Sequence, residues 1–212
     1  NTGDTVLRVQ GLSIKTQEAF GVDLQGIALQ VKAGEVVGIA GVSGNGQKEL
    51  MYALSGEDTR AEPEMVQLLG KGVGRMGPGR RRSMGLHFVP EERLGRGAVP
   101  SMGLAHNLLL TRKDALGKGS WIRMSQLQVQ AKEIIARFNV KAGGPGSSAQ
   151  SLSGGNLQKF IVGREIDAKP RLLIISQPTW GVDVGAAAQI RGAILKLRDE
   201  GCAVLVLSEE LD

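Results

Sequence analysis

Short runs of β-branched and aliphatic residues alternate along the chain with longer stretches whose apolar positions recur at helical spacing. That alternation predicts an α/β domain on a largely parallel sheet. Val6–Val9 and Ile27–Val31 read as early strands of an antiparallel edge. Val36–Ala40 (V-V-G-I-A) reads as a buried strand that runs into G-V-S-G-N-G-Q-K and then into a helix, K-E-L-M-Y-A-L, with Gly56 just past its end. Leu86–Val89 is a further short strand, stopped at Pro90. Leu127, Ala131, Ile134, Ile135 and Phe138 share one helical face, and Ser125 with Gln128 gives that helix a capping-box start. Lys141–Ala149 reads as a loop, after which S-L-S-G-G-N-L-Q-K opens a new helix. A strand at Leu172–Ser176, a helix over Val184–Arg198 with Ile190, Ile194 and Leu197 inward, and a strand at Ala203–Leu207 complete the pattern. No internal repeat is visible.

Composition narrows the classes. With 212 residues and 42% hydrophobic content the chain supports one sizeable core. Its 31 glycines carry no G-X-Y period, so they serve backbone geometry. Aromatics at 3% leave little to build a base-stacking platform from. Cys202 is the single cysteine and sits in an apolar run, which excludes a disulfide framework and reads as core packing. No apolar run approaches the ~20 residues that cross a bilayer. The net charge of +5 is accounted for by the stretch from Lys71 to Arg96, with seven basic and two acidic residues. A run this local, centred on Arg80–Arg82, reads as a solvated loop or short exposed helix, with no specific nucleic-acid partner.

The strand–glycine loop–helix passage carries the chemistry. The P-loop pattern G-x-x-x-x-G-K-[ST] places two glycines, a lysine and a hydroxyl at fixed spacing. Here Gly41, Gly46, Gln47 and Lys48 fall on those four places. Glycines let successive N–H groups turn inward around phosphate oxygens, and the following helix adds its positive end. That part of the frame is kept. The charge that would meet the β- and γ-phosphates is replaced by a neutral amide, and the hydroxyl that would bind Mg²⁺ by an ammonium, which cannot ligate a cation. The candidate nucleotide-binding set is Gly41, Ser43, Gly44, Asn45, Gly46, Gln47 and Lys48, against the plain alternative of a tight turn after a strand.

Downstream, L-S-G-G-N-L-Q-K at Leu152–Lys159 closely resembles the signature motif of ATP-binding cassette (ABC) proteins, at the expected distance beyond the P-loop frame. L-L-I-I-S-Q-P-T-W-G-V-D-V-G-A resembles the Walker B and D-loop segment, V-L-V-L-S-E-E-L-D the strand leading to the switch-histidine loop, and F-V-P-E-E-R the Q-loop. The resemblance covers nearly the whole chain and is strongest to sugar- and nucleoside-type importers. It implies a P-loop NTPase-like ABC ATPase domain: a mostly parallel sheet core, an antiparallel β edge and a helical signature subdomain. On this reading residues 1–212 form one nucleotide-binding domain truncated at its C-terminus, with a helical subdomain over about 98–163.

What the resemblance implies about the site is loss. Ser176 stands where the family has the Mg²⁺-orienting aspartate and Gln177 where it has the glutamate that activates water. Glu209 stands at the switch histidine, or is simply a solvated carboxylate at a strand end, and Glu91 stands at the Q-loop glutamine. With Gln47 and Lys48 no catalytic side chain is intact. Phosphoryl transfer needs positioning and electrostatics from these places. Losing the lysine alone removes a charge-assisted contact worth about 1.5–3 kcal/mol, roughly 10- to 150-fold in affinity.

The family pairs two domains head to tail, each signature covering the partner's ATP. Ser153, Gly154, Gly155 and Asn156, with Asp183 of the D-loop, are retained for that role. The resemblance therefore implies the second, degenerate half of a tandem importer ATPase. Such a half would hold ATP weakly or statically at its own site and leave Mg²⁺ to the partner's. It would pair with the first half of the same polypeptide, touch permease subunits through the Glu91 loop, and lie peripherally on the cytoplasmic face of the bacterial plasma membrane. Two alternatives stay open: an active ATPase domain that uses Lys48, and a scaffold that never contacts nucleotide.

Overall fold

The computed structural model describes residues 2–41, 44–112 and 120–209, the side chains of 120–123 excepted. It divides into two compact units. The first comprises Asn1–Phe88, Pro170–Gln177 and Ile194–Asp212, and the second Val89–Lys169 and Pro178–Ala193.

The first unit holds two sheets. Strands β1 (Thr5–Ile14), β2 (Leu24–Lys32), β4 (Val66–Leu68) and β5 (Lys71–Gly72) pair antiparallel in the order β2-β1-β4-β5. The expected antiparallel strands are present and form a four-stranded sheet. The other sheet runs β3 (Val36–Ala40), β8 (Ala203–Ser208), β7 (Leu172–Ser176), β6 (Leu86–Val89), with β8 parallel to both β3 and β7. Every residue of β7 is buried, which is why Leu-Leu-Ile-Ile shows no alternation. Each of those side chains contributes roughly 1.5–3 kcal/mol on burial. Helix α1 (Gln47–Ser55) adds Leu50, Met51, Ala53 and Leu54 to this core and ends at Gly56, whose φ of 91° makes the left-handed cap expected of a glycine there.

The basic run departs from its reading. Arg80–Arg82 lie on α2 (Pro78–Ser83), and Arg81, expected in solvent, is fully buried. Its guanidinium donates to the carbonyls of Ala53 and Leu54 at 2.6 and 2.9 Å, of Met76 at 2.9 Å and of Gly74 at 3.1 Å. Ala53 and Leu54 belong to the last turn of α1, where helical carbonyls lack intrahelical partners and carry the negative end of the macrodipole. A fork of N–H donors meets that need, and burial lowers the Arg81 pKa to about 10.

The second unit contains α3 (Leu104–Leu109), α4 (Ser120–Arg137) and α5 (Gly154–Asp167), packed around Leu104, Leu108, Leu127, Ala131, Ile134 and Phe160. Ser125 does not start a helix: α4 already runs from Ser120, so the Ser125–Gln128 pattern sits inside it. A capping motif ends nothing when the residues before it are themselves helical. Helix α6 (Val184–Asp199) buries Ile190, Ile194 and Leu197 as its periodicity requires.

Cys202 is 5% exposed and its thiol is pushed up from 9.0 to about 12 by burial. So weak an acid carries about a thousandfold less thiolate at neutral pH than an exposed cysteine does. The folded chain is expected to react with an aromatic disulfide reagent at least about a hundredfold more slowly than the chain unfolded in urea; equal rates would place Cys202 at the surface.

Candidate functional site

In the first unit, register brings the carboxyl ends of three strands together. Ala40 of β3 lies opposite Ser208 of β8, and Leu207 lies between Ile39 and Ser176 of β7. Ligands of open α/β sheets bind in the crevice beyond such strand ends. Gly41, Gln47, Ser176, Gln177 and Glu209 all collect there. The Gly41 N–H donates to the Ser208 carbonyl at 3.1 Å. Gly44 and Gly46 take φ of 91° and 89°, the left-handed turns that only glycine makes without strain. Gly46 caps α1 in the left-handed region without a side-chain hydrogen bond. Asn45 is exposed beside it, while Ser43, with Val42, lies outside the described residues.

The side chains do something else. The Gln47 amide nitrogen donates to the carbonyls of Gly41 and Ser208, each at 3.3 Å. An amide has two N–H donors, and both are used. Lys48 turns away: its ammonium pairs with Glu18 at 3.5 Å and lies 5.6 Å from the Tyr52 ring centre. Tyr52 first and then Glu18 raise its pKa. The pair lines a cavity of about 470 Å³ that also contains Thr16, Val22 and Arg60.

Ser176 and Gln177 are buried at the end of β7. Gln177 holds a left-handed φ of 49°, its N–H donates to Leu207 at 2.7 Å, and its amide oxygen accepts from the Glu209 N–H at 3.2 Å. A hydroxyl and two amides do not make a Mg²⁺ site, which wants carboxylate oxygens. No group of three His, Cys, Asp or Glu able to hold a metal occurs among the described residues. The donor set here does not fit the ion.

The second unit presents the other constellation. Ser153 caps α5, its hydroxyl accepting from the Asn156 N–H at 3.3 Å and from the Asn156 side-chain amide at 2.9 Å. The Asn156 oxygen in turn accepts from the Lys141 N–H at 2.9 Å. Ser153 and Gly154 are exposed, so the positive end of a 14-residue helix opens to the surface. A Cβ on Gly155 would lie 3.6 Å from the Asp183 carboxylate, which caps α6 by accepting from Ala186 at 2.8 Å. Signature and D-loop residues, far apart in sequence, therefore form one exposed cluster. Glu91 is exposed in this unit, just after Pro90.

Two polar residues here go unmarked in the sequence. Arg93 stands inside P-E-E-R, where the glutamate alone falls on a motif position, and Gln158 stands inside the signature run, where the glycines carry the pattern. Gln158 is 1% exposed and donates to the Pro178 carbonyl at 3.1 Å, while its oxygen accepts from Arg93 at 3.2 Å. A glutamine three and four positions before Ile161 and Val162, in register with the apolar side of α5, is the signal that could have found it.

The family model described as ABC transporter matches residues 24–180. The chain is 41% identical over 211 residues to the nucleoside import ATP-binding protein NupA of Lactococcus lactis subsp. cremoris, covering 99% of this chain and 41% of that protein. It is 40% identical over 214 residues to the glucose import ATP-binding protein TsgD13 of Haloferax volcanii, covering 99% and 38%. The chain thus spans about two fifths of the length of these curated relatives. Among solved structures, the dimeric bacterial ABC transporter cassette MJ0796 superposes with a TM-score of 0.76 at 19% identity, over 96% of this chain and 88% of that one.

Proposed function

The chain belongs to the ABC transporter family, and on that premise we propose that it is the degenerate ATP-binding half of a tandem import ATPase, working on its partner's nucleotide rather than its own. One contrast carries this reading. The Gln47 amide spends both donors on the Gly41 and Ser208 carbonyls, while Ser153, Gly154 and Asp183 stand exposed, with the half-buried Gly155 beside the Asp183 carboxylate. A cradle whose side chains face the protein holds phosphate through its backbone alone, so ATP binds weakly or statically. An exposed helix end with a hydroxyl and two glycines suits a γ-phosphate presented by another domain. Mg²⁺ then belongs to the partner's site.

The other half is proposed to lie in the same polypeptide, since the matched relatives are more than twice this length. Permease subunits would dock at the Glu91 loop, with the ATPase peripheral on the cytoplasmic face of the membrane. No described helix is long and apolar enough to cross the bilayer. The relatives' names point to a nucleoside or sugar as the solute. Lys48 as substitute for the missing lysine is disfavoured by its pairing with Glu18, and a scaffold without nucleotide contact has no use for the Ser153–Gly155 opening.

Titration of the purified domain with ATP tests the reading. The expected result is weak binding that Mg²⁺ does not strengthen, and no turnover. A tight Mg²⁺-dependent complex, or hydrolysis abolished by Gln177→Ala, would refute it.

A further inference from the structure

The turn after Glu91 is tied to the signature helix and to the segment preceding Asp183 by one side chain. Residues 92–98 close on themselves: Ala98 N–H donates to the Arg93 carbonyl at 2.7 Å, Gly97 N–H to Glu92 at 3.0 Å, and Gly95 N–H to Ala98 at 2.8 Å. From this compact turn the Arg93 guanidinium reaches inward. Its Nε donates to the buried Gln158 oxygen, and Nη2 donates to the Trp180 carbonyl. Nη1 lies beside Gly154, where a Cβ would come within 3.1 Å, and 3.8 Å from the Cβ position of Gly181. Gly154 leaves the room the guanidinium occupies, while at Gly181 a Cβ would only reach ordinary contact with it. Gln158 completes the tie through its bond to Pro178. Arg93 thus joins three segments: the 92–98 turn, the first two turns of α5, and Pro178–Gly181, which leads into Asp183. A planar fork can serve two acceptors in different segments at once, whereas an ammonium on a flexible stem fixes neither direction.

We propose that Arg93 is a positioning residue, through which displacement of the 92–98 turn moves Ser153–Gly155 and Asp183 together. This rests on the reading that the loop faces the permease and the signature serves the partner's ATP. Burial lowers the Arg93 pKa, in keeping with a guanidinium held among fixed acceptors.

The test uses the full-length ATPase reconstituted with its permease, with Mg-ATP as the probe. Arg93→Ala is expected to lower permease-stimulated kcat about tenfold while KM for ATP stays within about threefold, since the residue orients groups without binding nucleotide. Arg93→Lys, which keeps the charge and most of the bulk, is expected not to restore it and serves if the alanine variant does not fold. Hydrogen exchange gives a readout independent of turnover: the amides of residues 181–183 should exchange about tenfold faster in either variant. Stimulated turnover within about twofold of wild type in both variants, full rescue by Arg93→Lys, or unchanged exchange at 181–183 would overturn the proposal. Ser153→Arg run in parallel separates the two ideas. If it leaves turnover intact, the trans-site reading falls; if it abolishes turnover while Arg93→Ala does nothing, only the role of Arg93 falls.

Discussion

On the proposed function, Ser153→Arg or Gly155→Asp is expected to abolish ATP hydrolysis by the full-length protein, whereas Gln47→Ala is expected to leave most of it. Ser153→Arg puts a long side chain where a hydroxyl caps α5 at an exposed helix end. Gly155→Asp sets a second carboxylate against Asp183, whose oxygen is 3.6 Å from the Cβ position, and aims negative charge at the γ-phosphate. Losing a group that stabilises transition-state charge costs about 10²–10³ in rate, and adding repulsion there costs more. Among the described residues the Gln47 amide donates to the Gly41 and Ser208 carbonyls of its own unit, so on the proposed assignment its truncation touches a cradle that does not turn over. ATPase rates of the assembled transporter, at matched amounts of folded protein, decide the matter. Equal loss from Gln47→Ala and Gly155→Asp would mean both sites fire alike, and the asymmetric assignment would have to go.

The second large effect concerns stability. Arg81→Met is expected to destabilise the chain by at least about 3 kcal/mol in urea unfolding, since each buried acceptor left without a donor costs about 1–3 kcal/mol. Four carbonyls lose their donor at once, two of them at the end of α1. Arg81→Lys should recover little, because one ammonium cannot follow a fork directed at Gly74, Met76 and the 53–54 turn. Arg80→Met, at an exposed neighbour on the same helix, should change stability by less than about 0.5 kcal/mol. A loss under about 1 kcal/mol for Arg81→Met would show that the carbonyls find water instead.

Much of the architecture was legible in the chain because burial writes it there. Leu172–Ile175 is apolar and wholly buried, and its strand has the expected limits; Val36–Ala40 also became a strand at its limits, but none of its residues is buried and Gly38 and Ala40 are exposed, so the buried strand that its composition suggested is a partly exposed one. Strands β4 and β5, at three and two residues, are held by pairing to β1 and to each other and carry no periodicity of their own. Helix α2 falls within the reading of a solvated loop or short exposed helix, but nothing local in P-G-R-R-R-S announces that the middle arginine serves carbonyls 27 and 28 positions away. The candidate site divides in the same way. Gly41, Gly46, Ser153, Gly154 and Gly155 are read from fixed local spacing. Where Gln47, Lys48 and Arg93 point is decided by Ser208, Glu18 and Trp180, partners that no window of sequence contains.

The two bonds of the Gln47 amide make it part of the fold as well as of the candidate site. Once the glutamine clasps the start of the loop to the end of β8, it has become a structural part, worth about 1 kcal/mol for each bond. A lysine restored at 47 would release both carbonyls and still find Lys48, Ser176 and Gln177 in place. Each backward step is therefore uphill in stability before any step is downhill in activity. On the proposed assignment this acts as a ratchet: the side chain that no longer serves phosphate now holds the loop, so Gln47→Lys alone is expected to cost stability and bring no turnover.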